Sequence, residues 1–369
     1  MQPVDDHGAG AADRGTILVV SLLLLAGLLA LYSASAPFSV RHYGSSLHLL
    51  GRQLIAAVAG LAVAFLLSRL DYRLLRHVDV LLLGGAFGLA ALTLLPLRGV
   101  SDGRWLHLGP LDLQPTELLK VALLVYVACT IERKGRAIRD FVPGILPFVL
   151  VLAVVSTVTL QQPDLGMVLL LCGMVGGMLF LGGARIAHLA VLLAGGAPLA
   201  LLAVVAAPYR LTRLMAFLSP GSFTTSSGYQ TLQSLVAIGS GGFVGRGLGA
   251  SRAKLFYLPQ AHSDFVFSVA AEELGLVGSC ALLALFAALA WRAVCIAREA
   301  PDALGRLLAL GIGLVLLLQA LTNVGVAVGL LPVTGLTLPF FSHGGSSLVV
   351  TLAMVGLLLA VSRRSRGWA

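Results

Sequence analysis

In 369 residues, 58% are hydrophobic and only 11% charged, with a mean hydropathy of +0.96. That is about half the charge of an ordinary soluble domain, and no water-soluble core could use so much Leu, Ala and Val. The net charge of +9 would suggest a nucleic-acid partner in a soluble protein; here loop topology accounts for it and no nucleic acid is expected.

Apolar runs recur along the whole chain at a length that crosses the hydrocarbon core. The N-terminal segment is Asp-rich, and the run Ile17–Tyr32 behind it lacks a small-residue cleavage site, so it reads as a retained first helix. Ten spans are expected, at about 16–36, 52–68, 78–97, 118–132, 142–160, 165–183, 186–206, 267–291, 304–328 and 346–362. The expected fold is a single all-α polytopic membrane domain over 1–369, without an evident internal repeat. Ten spans place both termini on one side. Arg14, Arg69, Arg73, Arg76, Arg133, Lys134, Arg136, Arg139, Arg185, Arg292, Arg298, Arg306, Arg363, Arg364 and Arg366 all fall on that side, which the Lys/Arg bias makes cytoplasmic. Two loops on the opposite face are long: Arg98–Glu117, and about 207–264 between spans seven and eight. The second carries apolar, aromatic and Gly residues, as in "GYQTLQSLVAIGSGGFVGRGLG", and is expected to form short amphipathic helices on the outer surface.

That outer face carries a mixed set of acids and bases. Its carboxylates are Asp102, Asp112, Glu117, Asp164, Asp264, Glu272 and Glu273; its cations include Arg41, Arg52, Arg98, Arg104, Lys120, Arg210, Arg213, Arg246, Arg252 and Lys254. Asp264, beside His262 and Ser263 at the start of span eight, is either an N-cap or a partly desolvated general base. Glu272 and Glu273 lie about two turns deeper and point about 100° apart; at least one faces the bundle interior, and Glu273 reads as a structural ion-pair partner. Glu117 and Lys120, spaced i,i+3, either pair locally or line a cavity where Lys120 meets an anion. Asp164 in "QQPDLG" suits a helix cap. In "LLPVTGLTLPFFSHGGSSLVV", Pro and Gly break the chain, and Ser342, His343, Ser346 and the glycine amides could contact an anion. Asn323 reads as a helix–helix hydrogen bond. The cysteines Cys129, Cys172, Cys280 and Cys295 show neither metal spacing nor a disulfide framework, and no metal site or nucleotide motif is present. These residues admit an enzyme acting on a lipid-linked anionic substrate, or a transporter with an outward cavity.

The ordered stretches "RWLHLGPLDLQPTELLK", "QQPDLG", "GYQTLQSLVAIGSGG", "YLPQAHSDFVFSVAAEELG" and "LLPVTGLTLPFFSHGGSS" are similar to the SEDS family (shape, elongation, division and sporulation proteins), the RodA and FtsW group. The resemblance covers nearly the whole chain. "AIGSGG" and "LLPVTG" resemble the elongation branch, "PYRLTRLMAFLSP" and "GLGASRAKLFYLPQAH" the division branch, with elongation narrowly preferred. The resemblance implies a bacterial peptidoglycan glycosyltransferase, multi-pass in the cytoplasmic membrane. It would polymerise lipid II at the outer face with inversion at the donor anomeric carbon, beside a class B penicillin-binding protein. The family's essential acid in P-x-x-H-T/S-D-F falls on Asp264, and its Q-P-S/T-E-x-x-K motif on Glu117 and Lys120. Asp264 is then the expected catalytic base. Glu117, Lys120, Arg210, Arg213, Arg246, His262, Ser263, Ser342 and Ser346 become substrate-binding candidates, with Asp164, Glu272 and Glu273 in support. Ser263 stands where Thr is usual in the family, and His343 where Tyr is usual, a change expected to alter the local pH response. No cofactor is required, although a divalent cation bridging diphosphate and carboxylate would fit. The rival readings are a lipid II flippase and a scaffold.

Overall fold

The protein is described by a computed structural model over residues 10–95, 100–101, 103–108, 111–219 and 227–364. Arg98, Asp102 and Arg366 lie outside these residues.

Helices dominate. They are α1 (Arg14–Tyr43), α2 (His48–Arg69), α3 (Leu75–Leu92), α4 (Pro115–Lys134), α5 (Leu146–Gln161), α6 (Leu165–Leu181), α7 (Ile186–Val205), α8 (Pro208–Leu218), α9 (Ser227–Gly241), α10 (Val266–Glu299), α11 (Ala303–Ala327) and α12 (Gly345–Ser362). Each expected span coincides with one helix among α1–α7 and α10–α12. Among the described residues, eight helical segments are long and apolar enough to cross a membrane. Helix α6 is apolar but has only 17 residues, and α4 carries Glu117, Lys120, Glu132, Arg133 and Lys134 within its 20.

One local departure from the all-helical expectation lies between α3 and α4. There β1 (Val100–Ser101), β2 (Trp105–Leu108) and β3 (Leu111–Leu113) form an antiparallel meander, with Ser101 opposite Trp105 and His107 opposite Asp112. "LHL" and "LDL" alternate polar with apolar residues about a Gly-Pro turn signal, which is the strand period rather than the helix period.

In lipid, apolar surface alone does not hold helices together; close approach of small residues does. Helices α2 and α12 show this. A Cβ on Gly356 would stand 2.6 Å from the Ala64 backbone, and one on Gly60 would stand 2.6 Å from Leu352 Cδ1. Helices α4, α11 and α12 are the most enclosed, whereas α7 has no buried residue and presents Leu193, Leu199 and Leu202 outward.

Helix α10 would be about 51 Å long if continuous, well beyond the ~30 Å hydrocarbon core. It breaks at Gly275, whose φ of +68° is open to glycine. The glycine-rich segment after α9 enters the break and satisfies the freed backbone: Leu276 N–H donates to Gly242 O (2.9 Å) and Val277 N–H to Phe243 O (3.1 Å), while Arg246 and Gly247 N–H donate to Glu272 O and Glu273 O (3.0 Å each). The 207–264 loop is therefore not wholly superficial. Helix α8 is largely exposed, with only Ala216 buried, but α9 packs into the bundle, with Ser234 buried and its Oγ donating to Ala327 O (2.6 Å).

At the opposite end, many of the basic residues are tied into ion pairs: Arg76–Glu132 (2.6 Å), Arg133–Asp79 (2.5 Å), Arg73–Asp302 (2.9 Å), Arg292–Asp13 (2.5 Å) and Arg364–Asp71.

Candidate active site

Helices α2, α4, α6, α10 and α12 all begin around one polar cavity of about 520 Å³. Its lining includes the carboxylates of Asp112, Asp164 and Asp264, the guanidinium groups of Arg52, Arg104 and Arg213, and His107, His262 and His343. The meander supplies one wall, where Asp112 accepts from Arg52 Nη2 (2.5 Å) and pairs with His107 Nδ1 (2.6 Å). Burial works to raise Asp112, but those bonds hold its carboxyl below the usual range. Arg104 donates to the carbonyls of Gln162 and Pro163, and Arg213 Nη1 to Val333 O (3.2 Å).

Asp264 sits in the turn before α10. The N-cap of α10 is Phe265, and no side chain caps it, so the capping role is not the one Asp264 performs. The turn is opened by Gln260 in the left-handed region (φ +56°). Three consecutive carbonyls are then each held by a donor from elsewhere. His262 O accepts from His343 N–H (2.9 Å), Ser263 O from Ser342 Oγ (2.5 Å), and Asp264 O from Asn323 Nδ2 (2.9 Å). This clasp fixes the backbone under the carboxylate while leaving the carboxylate at the cavity wall. Burial pushes Asp264 up to about 6; Arg213 and Arg104 oppose that rise and Asp164 adds to it. A carboxyl tuned close to neutrality is matched to accepting a proton from a hydroxyl.

Of the other sequence-derived candidates, Arg213, His262 and Ser263 line the cavity. Asp164 lines it and also caps α6, accepting from Met167 N–H (3.0 Å); burial raises its carboxyl as well. Glu117 and Lys120 do not line it. They form a buried pair at 2.6 Å, and Lys120 Nζ also donates to Gln319 Oε1 (2.9 Å). Arg210 turns to the carbonyls of Ala203 and Leu160, and Arg246 to Glu272 (3.0 Å), each consumed by backbone or charge away from the cavity. Ser342 and Ser346 serve local structure, in the clasp and as acceptor for Gln114 N–H (3.3 Å). Glu272 and Glu273 are both buried and both structural. Glu272 accepts from Ser251 Oγ (2.6 Å) and from the N–H groups of Arg252 and Ala253 (3.1 Å each); Glu273 binds Lys254 (2.8 Å) and Ser33 Oγ (2.6 Å). Together they anchor the segment that enters the Gly275 break.

A second cavity of about 550 Å³ lies between α1 and the 254–262 segment, with Phe38, Arg41, His42 and Phe256 among its walls; Gln260 and His262 line both cavities. Among the described residues no group of three or more His, Cys, Asp or Glu is arranged to hold a metal.

A family model described as cell cycle protein, for FtsW, RodA and SpoVE, matches residues 13–367. The chain belongs to the FtsW/RodA/SpoVE family. It is 40% identical over 358 residues to a probable peptidoglycan glycosyltransferase FtsW of Geobacter metallireducens, covering 96% of each chain. Its fold matches a chain from a peptidoglycan synthase complex that coordinates polymerization and crosslinking, with a TM-score of 0.77 at 34% identity, covering 96% of this chain and 98% of the other. It also matches the rod shape determining protein RodA of Thermus thermophilus, with a TM-score of 0.69 at 34% identity over the same shares. Relatives from both the FtsW and RodA branches thus span the chain, and family membership is common to both readings of the branch.

Arg104, Gln260 and His107, none of them a substrate-binding candidate from the sequence, line the cavity, and Asn323 holds the Asp264 turn. Arg104 lies in the turn just before β2, from which it reaches the Gln162 and Pro163 carbonyls of the "QQPD" turn.

Proposed function

We propose that the chain is a peptidoglycan glycosyltransferase that polymerises lipid II at the outer face of the bacterial cytoplasmic membrane. The carrying observation is Asp264, clasped at the wall of a cavity that also presents Arg104 and Arg213, with its carboxyl raised to about 6. In this reading all ten apolar helices span the bilayer and the Arg-rich end, with both termini, is cytoplasmic.

A hydroxyl of the acceptor attacks the anomeric carbon of the donor with inversion. The new C–O bond forms as the bond from that carbon to the diphosphate oxygen breaks, and undecaprenyl diphosphate leaves. Asp264 takes the hydroxyl proton, a contribution worth roughly 10²–10⁴-fold. Arg213 and Arg104 stabilise charge on the departing diphosphate. The two cavities sharing Gln260 and His262 give room for donor and acceptor on either side of the Asp264 turn. No cofactor is part of the proposal; a divalent cation bridging diphosphate and carboxylate is compatible with it, and activity before and after chelation with EDTA reads that directly.

The test is polymerisation of purified lipid II in detergent, with and without the cognate class B penicillin-binding protein, comparing wild type with Asp264→Asn. Polymer from wild type and none from the variant is the expected result. A flippase or a scaffold would give no polymer from any preparation, and an active, folded Asp264→Asn protein would remove Asp264 as base.

A further inference from the structure

His343 is unassigned by the reaction above, yet it lines the Asp264 cavity. Its backbone N–H is spent in the clasp on His262 O. Its Nδ1 is sealed from solvent and has no partner, so Nε2 is the ring nitrogen that meets the cavity. A buried N–H without an acceptor is rarer and costlier than an idle lone pair. That favours the tautomer with its proton on Nε2, and it disfavours the imidazolium, whose Nδ1–H would be stranded. Burial, with His262 and Arg52 nearby, accordingly pushes the ring down to about 4.

The cavity has two electrically different walls. Around Asp264 stand Arg213, Arg104 and Asp164. Around His343 stand His262, Arg52, Asp112 and His48, and there Arg52 and Asp112 neutralise each other at 2.5 Å. The anionic diphosphate belongs with the first wall. The second wall suits uncharged, hydrogen-bonding surface.

We propose that His343 is a substrate-contacting residue whose neutral ring donates from Nε2 to an uncharged oxygen of the glycan, a sugar hydroxyl or an N-acetyl carbonyl, and so reads the sugar rather than the diphosphate. It rests on the glycan-polymerising reading.

The experiment uses the full chain with its penicillin-binding protein and lipid II as the probe. His343→Phe keeps the aromatic ring and deletes the donor; His343→Tyr restores one. Losing one hydrogen bond corresponds to a three- to tenfold fall in kcat/KM, roughly. The Phe variant should show that fall, carried in KM, and the Tyr variant should stay close to wild type. Inhibition by undecaprenyl diphosphate should be equal in all three, and the acid limb of the pH–rate profile should not move in the Tyr variant. Equal kcat/KM for Phe and wild type, a Tyr variant as weak as Phe, weakened undecaprenyl diphosphate inhibition or a displaced acid limb would each overturn the assignment. If Phe fails to fold, His343→Gln, which keeps an N–H, against His343→Met, which keeps none, makes the same comparison. Lipid II binding to the same variants separates the two claims: a wild type that binds lipid II but makes no polymer defeats the polymerase reading, while the loss of binding in Phe alone still supports the His343 contact.

Discussion

Asp264→Asn should stabilise the protein while abolishing its activity, and the gain should depend on pH. The carboxyl moves from an ordinary 3.8 to about 6 on folding, because the turn takes it out of water faster than Arg213 can compensate. A raised carboxyl means that the ionised form is the costly one. The native state therefore carries no penalty below pH 3.8, loses stability as pH rises between 3.8 and 6, and bears the full cost above that. At about 1.4 kcal/mol per pKa unit the cost approaches about 3 kcal/mol at pH 8 and only about 1 kcal/mol at pH 4.5. Asparagine has nearly the same shape and no charge to desolvate, and the carboxylate is not a helix cap, so its replacement leaves α10 intact. Thermal unfolding of both proteins in the same detergent should show the Asn variant more stable at pH 8, with the gap shrinking to about a third at pH 4.5. In parallel, wild-type kcat/KM should rise with pH through about 6 and level off, because the base form is the active one, and the variant should be slower by roughly 10²–10⁴-fold. Equal unfolding temperatures at pH 8, or wild-type polymerisation by the variant, would refute the picture of a desolvated catalytic carboxylate.

Arg213 is the largest influence holding Asp264 down, so Arg213→Gln should move the acid limb of the pH–rate profile upward and raise KM for lipid II; an unmoved limb would detach Arg213 from Asp264. Lys120→Met strands the buried Glu117 carboxylate and should cost about 3–5 kcal/mol, whereas Glu117→Gln with Lys120→Met should recover most of it, as read from unfolding midpoints and the yield of folded protein. A single variant as stable as the double one would remove the pair from the core ledger. Gly356→Ala places a methyl 2.6 Å from the Ala64 backbone and should cost about 1–3 kcal/mol by forcing α2 and α12 apart, measured the same way.

The helical bundle was readable from sequence because lipid imposes one simple requirement, about twenty apolar residues per crossing. Local chemistry was readable too. The Asp164 cap followed from its place before an apolar run, and the i,i+3 spacing of Glu117 and Lys120 allowed the pair that forms. What sequence spacing could not decide was which way such a pair faces. The family motif made Lys120 a candidate for an anion, but Gln319, almost two hundred positions away, completes its coordination in the core.

Glu272 and Glu273 make the same point more sharply. Side by side in the sequence, they read as supporting residues, Glu273 as an ion-pair partner, but spacing does not say where their partners lie. Most of their partners come from 246–254, a segment that reaches them because Gly275 breaks α10 and because Gly245 lets the two backbones meet; a Cβ at Gly245 would lie 2.1 Å from Glu273 O. The charge is thus used to fasten the polar segment that closes onto the helix break, and the cost of burying two carboxylates is offset by charge-assisted bonds to Lys254, Arg246 and backbone amides. Asp264 is left at the cavity wall, where burial opposes its ionisation. Two acids are bound into structure at the helix break, while the clasp from His343, Ser342 and Asn323 holds the turn carrying the third, and that division of labour is set by tertiary placement rather than by the acids themselves.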